Sequence, residues 1–333
     1  MRSIKTLCLS VVLAFIFVSS AYAAGPVRLR FANFPAAATF PCVAMEEWAK
    51  TVTERTKGAV AVETFPGGTL LDAKSMLRGV MQGQADIGCI SLAYHPGAFP
   101  FMSAFELPLG FSSAEEVSRV MWQIYTQHRP KEMEKIQVIA LYSCAPSQIM
   151  SSRPVKTMAD LKGLTLRASG ILADVAASVG ASPISMPQSD APEALQKGVV
   201  AGVFSSYDVL KDYNFAESCR FGLSVDGPVY PFMVFMNKKK WDSLPEEVRQ
   251  VIMAYAPEHS EWTGKYVDAH GKEAVAWAEK TYGFALTEMS AEEKRAFRET
   301  AAPVIDAWTK KAEAKGIDAQ TLLAAVRAAK KNQ

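Results

Sequence analysis

Four histidines, five cysteines and 34 acidic residues are the side chains of this 333-residue chain that could ligate a metal, act as nucleophiles or move protons. Their spacing supports none of those roles. None of His95, His128, His259 and His270 lies at metal-ligand spacing from another ligand residue. There is no G-x-S-x-G elbow, no H-E-x-x-H, no Gly-rich dinucleotide fingerprint and no P-loop. His259 and His270 fall in a charged, helical C-terminal region, where a solvated helix face is expected; His128, beside Arg129 and Pro130, is expected in a loop. The carboxylates fall at helix starts and on helix faces. Cys8 lies in an N-terminal apolar segment, which leaves Cys42, Cys89, Cys144 and Cys219. Four cysteines allow three pairings, and no C-x-x-C pair exists, so free buried thiols are favoured over a disulfide, zinc or redox site. The expectation is a protein that is not an enzyme and that uses neither metal nor cofactor.

One arginine stands out. In LKGLTLRASG, residues 161–170, Arg167 closes a run of apolar and small residues after a glycine break. As a strand, the segment puts Leu164, Leu166 and Ala168 on one face and Thr165, Arg167 and Ser169 on the other. With the apolar face in a core, Arg167 points at whatever lies opposite. A solvated strand edge is the ordinary fate of an arginine; an anion clamp is the alternative.

The surrounding elements read as α/β. VRLRF (27–31) alternates as a first strand. Ala44, Trp48 and Val52 recur at i+4 in a helix over Pro41–Lys57 that Gly58 ends. AVAVETFPGG is a second strand running into a turn, 71–83 an amphipathic helix and ADIGCIS (85–91) a third strand. VVAGVFS (199–205) and PFMVFMN (231–237) read as later strands, and the chain is mostly helical from Pro245. Capping boxes are expected at Thr157/Asp160, Asp190/Glu193, Ser243/Glu246 and Ser290/Glu293. Such alternation predicts parallel sheets with helices on their faces.

The N-terminus carries Arg2 and Lys5, an apolar stretch from Leu7 to Val18 and the small-x-small site Ala21-Tyr22-Ala23, a pattern expected of a signal peptide over 1–23. No later run is apolar enough to span a membrane, so an exported, periplasmic protein is expected. Without Arg2 and Lys5, the 36 basic residues become 34 against 34 acidic. A neutral chain with interspersed charges is not built for nucleic acid. The remaining length exceeds what one core usually supports, so two domains are expected.

DLKGLTLRASG (160–170) followed by VGASPISMPQSDAPEALQKGVVAGV (179–203) resembles the solute-binding proteins of TRAP transporters. FPGGTLLDAKSMLRGVMQGQADIG (65–88) and NKKKWDSLPEEVRQVI (237–252) match further blocks of that family in the right order, so the likeness covers nearly the whole mature chain. It implies a two-domain periplasmic binding protein fold with hinge-joined mixed sheets flanked by helices. Domain I would take 25–144 plus 233–272, domain II 145–232 plus 273–333, with crossing strands, a shared long helix and the ligand cleft between them. It also implies that Arg167 holds a ligand carboxylate and that membrane permease subunits are the partners; a monomer is expected. A guanidinium suits the task because its paired donors fit a carboxylate and it stays charged.

The chain departs from that family at several polar positions. Ser147 stands where many relatives have a further arginine; Asp190-Ala191-Pro192 lacks the usual tyrosine; Val200-Ala201-Gly202 lacks an aspartate; Phe204-Ser205-Ser206-Tyr207 stands where an asparagine is frequent. The segments expected to line the cleft are rich in aromatics: Phe34, Phe40, Tyr94, Phe204, Tyr207, Tyr230 and Phe232, with Ser91 and Ser205 adding hydroxyls. One anion clamp among aromatic walls suits one carboxylate on an apolar body. The expected ligand is an aromatic or similarly hydrophobic monocarboxylate, an amino or 2-oxo acid among the possibilities. A second basic group near Arg167 would instead favour a C4-dicarboxylate, and consumption of a bound acid would mark an exported enzyme.

Overall fold

The computed structural model describes residues 25–331; the expected signal peptide lies outside them. In chain order the first part runs β1 (Val27–Ala32), α1 (Phe40–Arg55), β2 (Val60–Phe65), α2 (Met76–Met81), β3 (Ile87–Ser91), α3 (Ala114–His128) and β4 (Ile136–Ser143). The chain then crosses to β5 (Gln148–Ser151), β6 (Thr165–Arg167), α4 (Ile171–Ser178), β7 (Ser182–Ile184), α5 (Ala191–Gln196), β8 (Gly202–Ser205), α6 (Val209–Asp212) and β9 (Phe221–Ser224). It returns through β10 (Pro231–Asn237), α7 (Lys238–Asp242) and the 37-residue α8 (Glu246–Tyr282), and ends with β11 (Ala285–Glu288), α9 (Ala291–Glu313) and α10 (Ala319–Lys331).

Two sheets result, ordered β2-β1-β3-β10-β4 and β11-β9-β5-β8-β6-β7. Both are mixed rather than parallel throughout. β1 runs parallel to β2 and β3, whereas β10 runs antiparallel to β3 and β4. β6 is parallel to β7 and β8, whereas β5 is antiparallel to β8 and β9. β5 and β10 arrive by crossing from the other sheet, so they escape the strand–helix–strand crossover that makes neighbours parallel. Every residue of β3 and β10 is buried, as expected of central strands covered on both faces. On α1, Ala44, Trp48 and Val52 are buried as their spacing predicts, and Trp48 packs edge-on against Phe31 at 5.7 Å.

The expected helix over 71–83 is shorter. The Asp72 carboxylate accepts from the N–H groups of Lys74 and Ser75 (2.9 and 2.8 Å), which holds those residues in a turn ahead of α2. The boxes at Thr157 and Ser290 form. Those at Asp190 and Ser243 do not, because Asp190 is itself helical in backbone and α8 begins after Pro245.

α8 binds both sheets together. Gly264 lets it lie against the start of α3: a Cβ there would sit 2.6 Å from the Glu115 Cα. Asp268 accepts from the N–H groups of Ala114 and Glu115 at 2.8 and 3.0 Å, capping α3 from outside. The expectation of solvated histidines on this helix fails. His259 is 1% exposed and His270 8%. His259 stacks between Tyr255 and Trp262, and burial pushes its pKa down to about 3. His270 instead meets Asp212 of α6, Nε2 to Oδ1 at 2.6 Å, and that bond raises its pKa. His128 is the last residue of α3, not a loop residue; Arg129 takes the left-handed backbone that ends the helix. The chain's last two helices span both halves: Phe297 of α9 packs on Phe204, while Trp308 donates to Ser103 Oγ and Lys330 to the carbonyl of Leu109. The four cysteines are free and buried.

Candidate functional site

β6 delivers Arg167 to the space between the two sheets. The strand is flanked by β7 and β8, so both its edges are paired, and with Tyr94 and Tyr230 over its side chain Arg167 is only 1% exposed. Its Nε and Nη2 both donate to the Met186 carbonyl (2.9 and 2.7 Å), and Nη2 also donates to the Tyr94 hydroxyl at 2.9 Å. The Tyr94 hydroxyl accepts from the Gln188 N–H as well, at 2.9 Å. The guanidinium carbon lies 5.4 Å from the Tyr230 ring centroid and 5.7 Å from that of Tyr94, within the range where a ring face attracts a cation. Tyr230 is itself fixed: its hydroxyl accepts from the Ser169 N–H and donates to the Phe204 carbonyl. No hydrogen bond from Nη1 to a protein acceptor occurs among the described residues, so that donor pair is uncommitted.

These groups line a partly open cavity of about 30 Å³. One wall comes from the first sheet and its loops: Phe34, Phe40, Ser91, Tyr94 and, from the crossing strand β10, Phe232. Phe232 stacks parallel to Phe34 at 6.4 Å and meets Phe40 edge-on at 5.4 Å, which makes that wall a rigid aromatic surface. The other wall comes from the second sheet: Arg167, Gln188, Ser205, Asp208, Asp212 and Tyr213. Tyr94 also borders a larger open groove of about 820 Å³, which runs outward past Gly170 and Met186 to Trp308 of α9.

Of the sequence-predicted residues, Arg167, Phe34, Phe40, Tyr94, Ser91, Ser205, Tyr230 and Phe232 come together here. Phe204 and Tyr207 do not. Phe204 and Ser205 are consecutive on β8 and face opposite ways, so Ser205 reaches the cavity and Phe204 packs edge-on against Phe297. Tyr207 is turned onto Phe284, with its hydroxyl against Ser224. Ser147 is buried outside the cavity, its N–H donating to the Pro228 carbonyl.

Asp208, Asp212 and Gln188 were missed by sequence reasoning. The first two sit at the i, i+4 positions of DVLKD, a spacing that puts two carboxylates on one helix face. Asp212 is fully engaged: Oδ2 accepts from the Phe40 N–H at 3.0 Å, at the start of α1, and Oδ1 meets His270. Asp208 is not. Burial, with the nearby Asp212 charge second, raises its pKa. Three buried polar atoms of the lining residues have no partner: Ser91 Oγ, Gln188 Nε2 and Asp208 Oδ1. Left so, each costs about 1–3 kcal/mol, a demand that a bound polar molecule would meet.

Two mixed α/β sheets, strands crossing between them and a polar-and-aromatic cavity at their junction are the architecture of a two-domain solute receptor. Residues 31–311 match the family described as bacterial extracellular solute-binding protein, family 7 (DctP), and the chain belongs to that family. It is similar to a TRAP periplasmic solute-binding protein from Desulfovibrio salexigens, at 51% identity and a TM-score of 0.84 over 92% of this chain and 96% of that one. That relative is an open complex with the C-terminus of a symmetry mate bound in its ligand-binding site. A TRAP solute-binding protein from Rhodoferax ferrireducens, in complex with copurified benzoate, matches at 27% identity and a TM-score of 0.87, covering 92% and 98% of the two chains. The 2,3-diketo-L-gulonate-binding periplasmic protein YiaO of Escherichia coli is 29% identical over 231 residues, 68% of this chain and 70% of its own. The protein is thus an extracytoplasmic solute receptor of the TRAP type and not an enzyme. Such receptors bind small carboxylates and work with membrane permease components, and proteins of this family are periplasmic. Among the described residues, no helix is long and apolar enough to cross a membrane.

Proposed function

We propose that this receptor binds an aromatic or similarly hydrophobic monocarboxylate, with Arg167 gripping the carboxylate and Phe34, Phe40, Tyr94 and Phe232 holding the apolar body. The observation that carries this reading is a buried guanidinium with free donors in an aromatic-walled cavity. Arg167 is the only basic side chain among the described residues that line it, and the other charged groups there are carboxylates. A second ligand carboxylate would have no cation to meet and two acids to avoid, which weighs against a dicarboxylate. The benzoate in the Rhodoferax relative supports the same choice.

A volume of about 30 Å³ has room for no more than a few waters, so a ring-bearing acid needs the walls to part. The two lobes, 25–144 plus 233–272 and 145–232 plus 273–333, would open about the crossing strands and α8, admit the acid and close on it. Closure is then favoured by the ligand's greater affinity for the closed form. Residues 1–23 would direct export and be removed, and the closed receptor would dock, as a monomer, on its permease subunits. Equilibrium titration against a panel of acids tests the ligand class. Benzoate, phenylacetate or a larger aromatic acid is expected to bind and succinate to give no response; tight succinate binding with silence toward aromatic acids would overturn the proposal.

A further inference from the structure

Asp208 has no role in a site built for a bare aromatic acid. It is 2% exposed, its Oδ1 has no hydrogen-bond partner, and it lines the same cavity as Arg167. Among the described residues no ion pair joins it to Arg167, whose Nε and Nη2 turn to the Met186 carbonyl and the Tyr94 hydroxyl. Nor does Asp212 share its burden, since both oxygens of that carboxylate are occupied by His270 and the Phe40 N–H. The cavity therefore offers one uncommitted cationic donor set and one uncommitted carboxylate oxygen, Asp208 Oδ1. Buried charges in proteins are normally paired, and here the missing partners can come from one molecule.

We propose that the ligand is a zwitterion, an α-amino acid with an apolar side chain, whose carboxylate meets Arg167 and whose ammonium group meets Asp208. This rests on the reading of the cavity as a monocarboxylate site and makes Asp208 the residue that selects for the amine. The ammonium supplies the donor that Asp208 Oδ1 lacks and a positive charge beside a carboxylate crowded by Asp212. Gln188 Nε2 and Ser91 Oγ, also without partners, add polar contacts to the same headgroup. The apolar side chain then lies on the Phe34–Phe232 wall.

The test compares pairs that differ only in the amine: L-phenylalanine with 3-phenylpropionate, and L-leucine with 4-methylpentanoate. Calorimetric titration of the wild type is expected to show the amino acid binding about tenfold or more tighter than its amine-free partner in at least one pair. Asp208→Asn, which keeps the side-chain shape, is expected to erase that preference, bringing the two members of a pair to within about threefold of each other. An amine-free acid that binds as well as or better than its amino acid in both pairs sinks this inference and leaves the monocarboxylate reading standing, as does a preference that survives in Asp208→Asn. Failure of all four compounds to bind also sinks this inference, and the panel with benzoate and phenylacetate then decides the monocarboxylate reading. Should Asp208→Asn not fold, the wild-type ratios decide alone.

Discussion

Arg167 divides its donors between the protein and the cavity: the Met186 carbonyl and the Tyr94 hydroxyl fix the plane of the guanidinium, and Nη1 is left over. Fixing that plane before a ligand arrives lowers the ordering cost of binding. Arg167→Met should weaken ligand binding by about 2–5 kcal/mol, the range for removing one partner of a buried charge pair. That is about 30-fold to several thousand-fold in Kd. Arg167→Lys keeps the charge but not the fork that holds Met186 and Tyr94, and a loss of at least tenfold is expected. Titration of both variants, beside thermal melts that show them folded, checks this; a lysine variant of wild-type affinity would mean that charge alone matters. Strand alternation was enough to isolate Arg167 but not to bury it, because the covering of its face by Tyr94 and Tyr230 comes from segments about 60–70 residues away. Asp208 was legible in principle, since DVLKD follows a readable strand. The reason it stayed hidden is that a short acidic helix looks like a solvated surface until a second sheet is placed over it.

The turn between β6 and α4 shows how backbone shape positions the site. Gly170 has φ +60° and precedes α4; a Cβ on it would meet Ala93 Cα at 2.9 Å and the Glu106 carboxylate closer still. Gly170→Ala should therefore cost about 1–3 kcal/mol in chemical denaturation. It should also weaken ligand binding, since Ala93 adjoins Tyr94 and Gly170 adjoins Ser169, whose N–H donates to Tyr230. Unchanged denaturation and unchanged affinity would show that this close approach does not matter. At this scale the sequence was most readable where one neighbour shell decides the element. PFMVFMN forms β10 over the residues expected of it, because a central strand must be apolar on both faces. The helix over 71–83 was overextended because periodicity cannot see the Asp72 carboxylate competing for backbone N–H groups. The histidines of α8 were misjudged for a further reason. A 37-residue helix packs different faces on α3, β4 and α6 along its length, so no single apolar stripe describes it.

Contacts that hold the two proposed lobes against each other around the cavity include Arg167 to the Tyr94 hydroxyl, Asp212 to His270 and to the Phe40 N–H, Gln188 N–H to the Tyr94 hydroxyl, and Ile171 N–H to Glu106 Oε2 at 3.0 Å. Glu106 lies outside the ligand cavity, on the open groove, so it can act on binding only through closure. Burial raises its pKa to about 7, against the helping bond from Ile171. A folded-state value above the unfolded one means that the contact's stability is fully present below about pH 4.5 and is lost as pH rises through about 7. If opening returns Glu106 to water, that loss falls on the closure equilibrium, with about 3 kcal/mol as its ceiling. Apparent affinity is the intrinsic affinity scaled by the closed-competent fraction. Ligand affinity should therefore drop between pH 5 and pH 8, and Glu106→Gln, whose carbonyl can still accept from Ile171 but cannot ionise, should flatten part of that drop. Asp208 also titrates upward of its ordinary range, but it is common to both proteins, so the difference between their pH profiles isolates Glu106. Kd measured at pH 5, 6, 7 and 8 for each protein decides the matter: parallel profiles would show that Glu106 does not govern closure, and converging affinities at pH 5 with a stronger Gln variant at pH 8 are what the geometry requires.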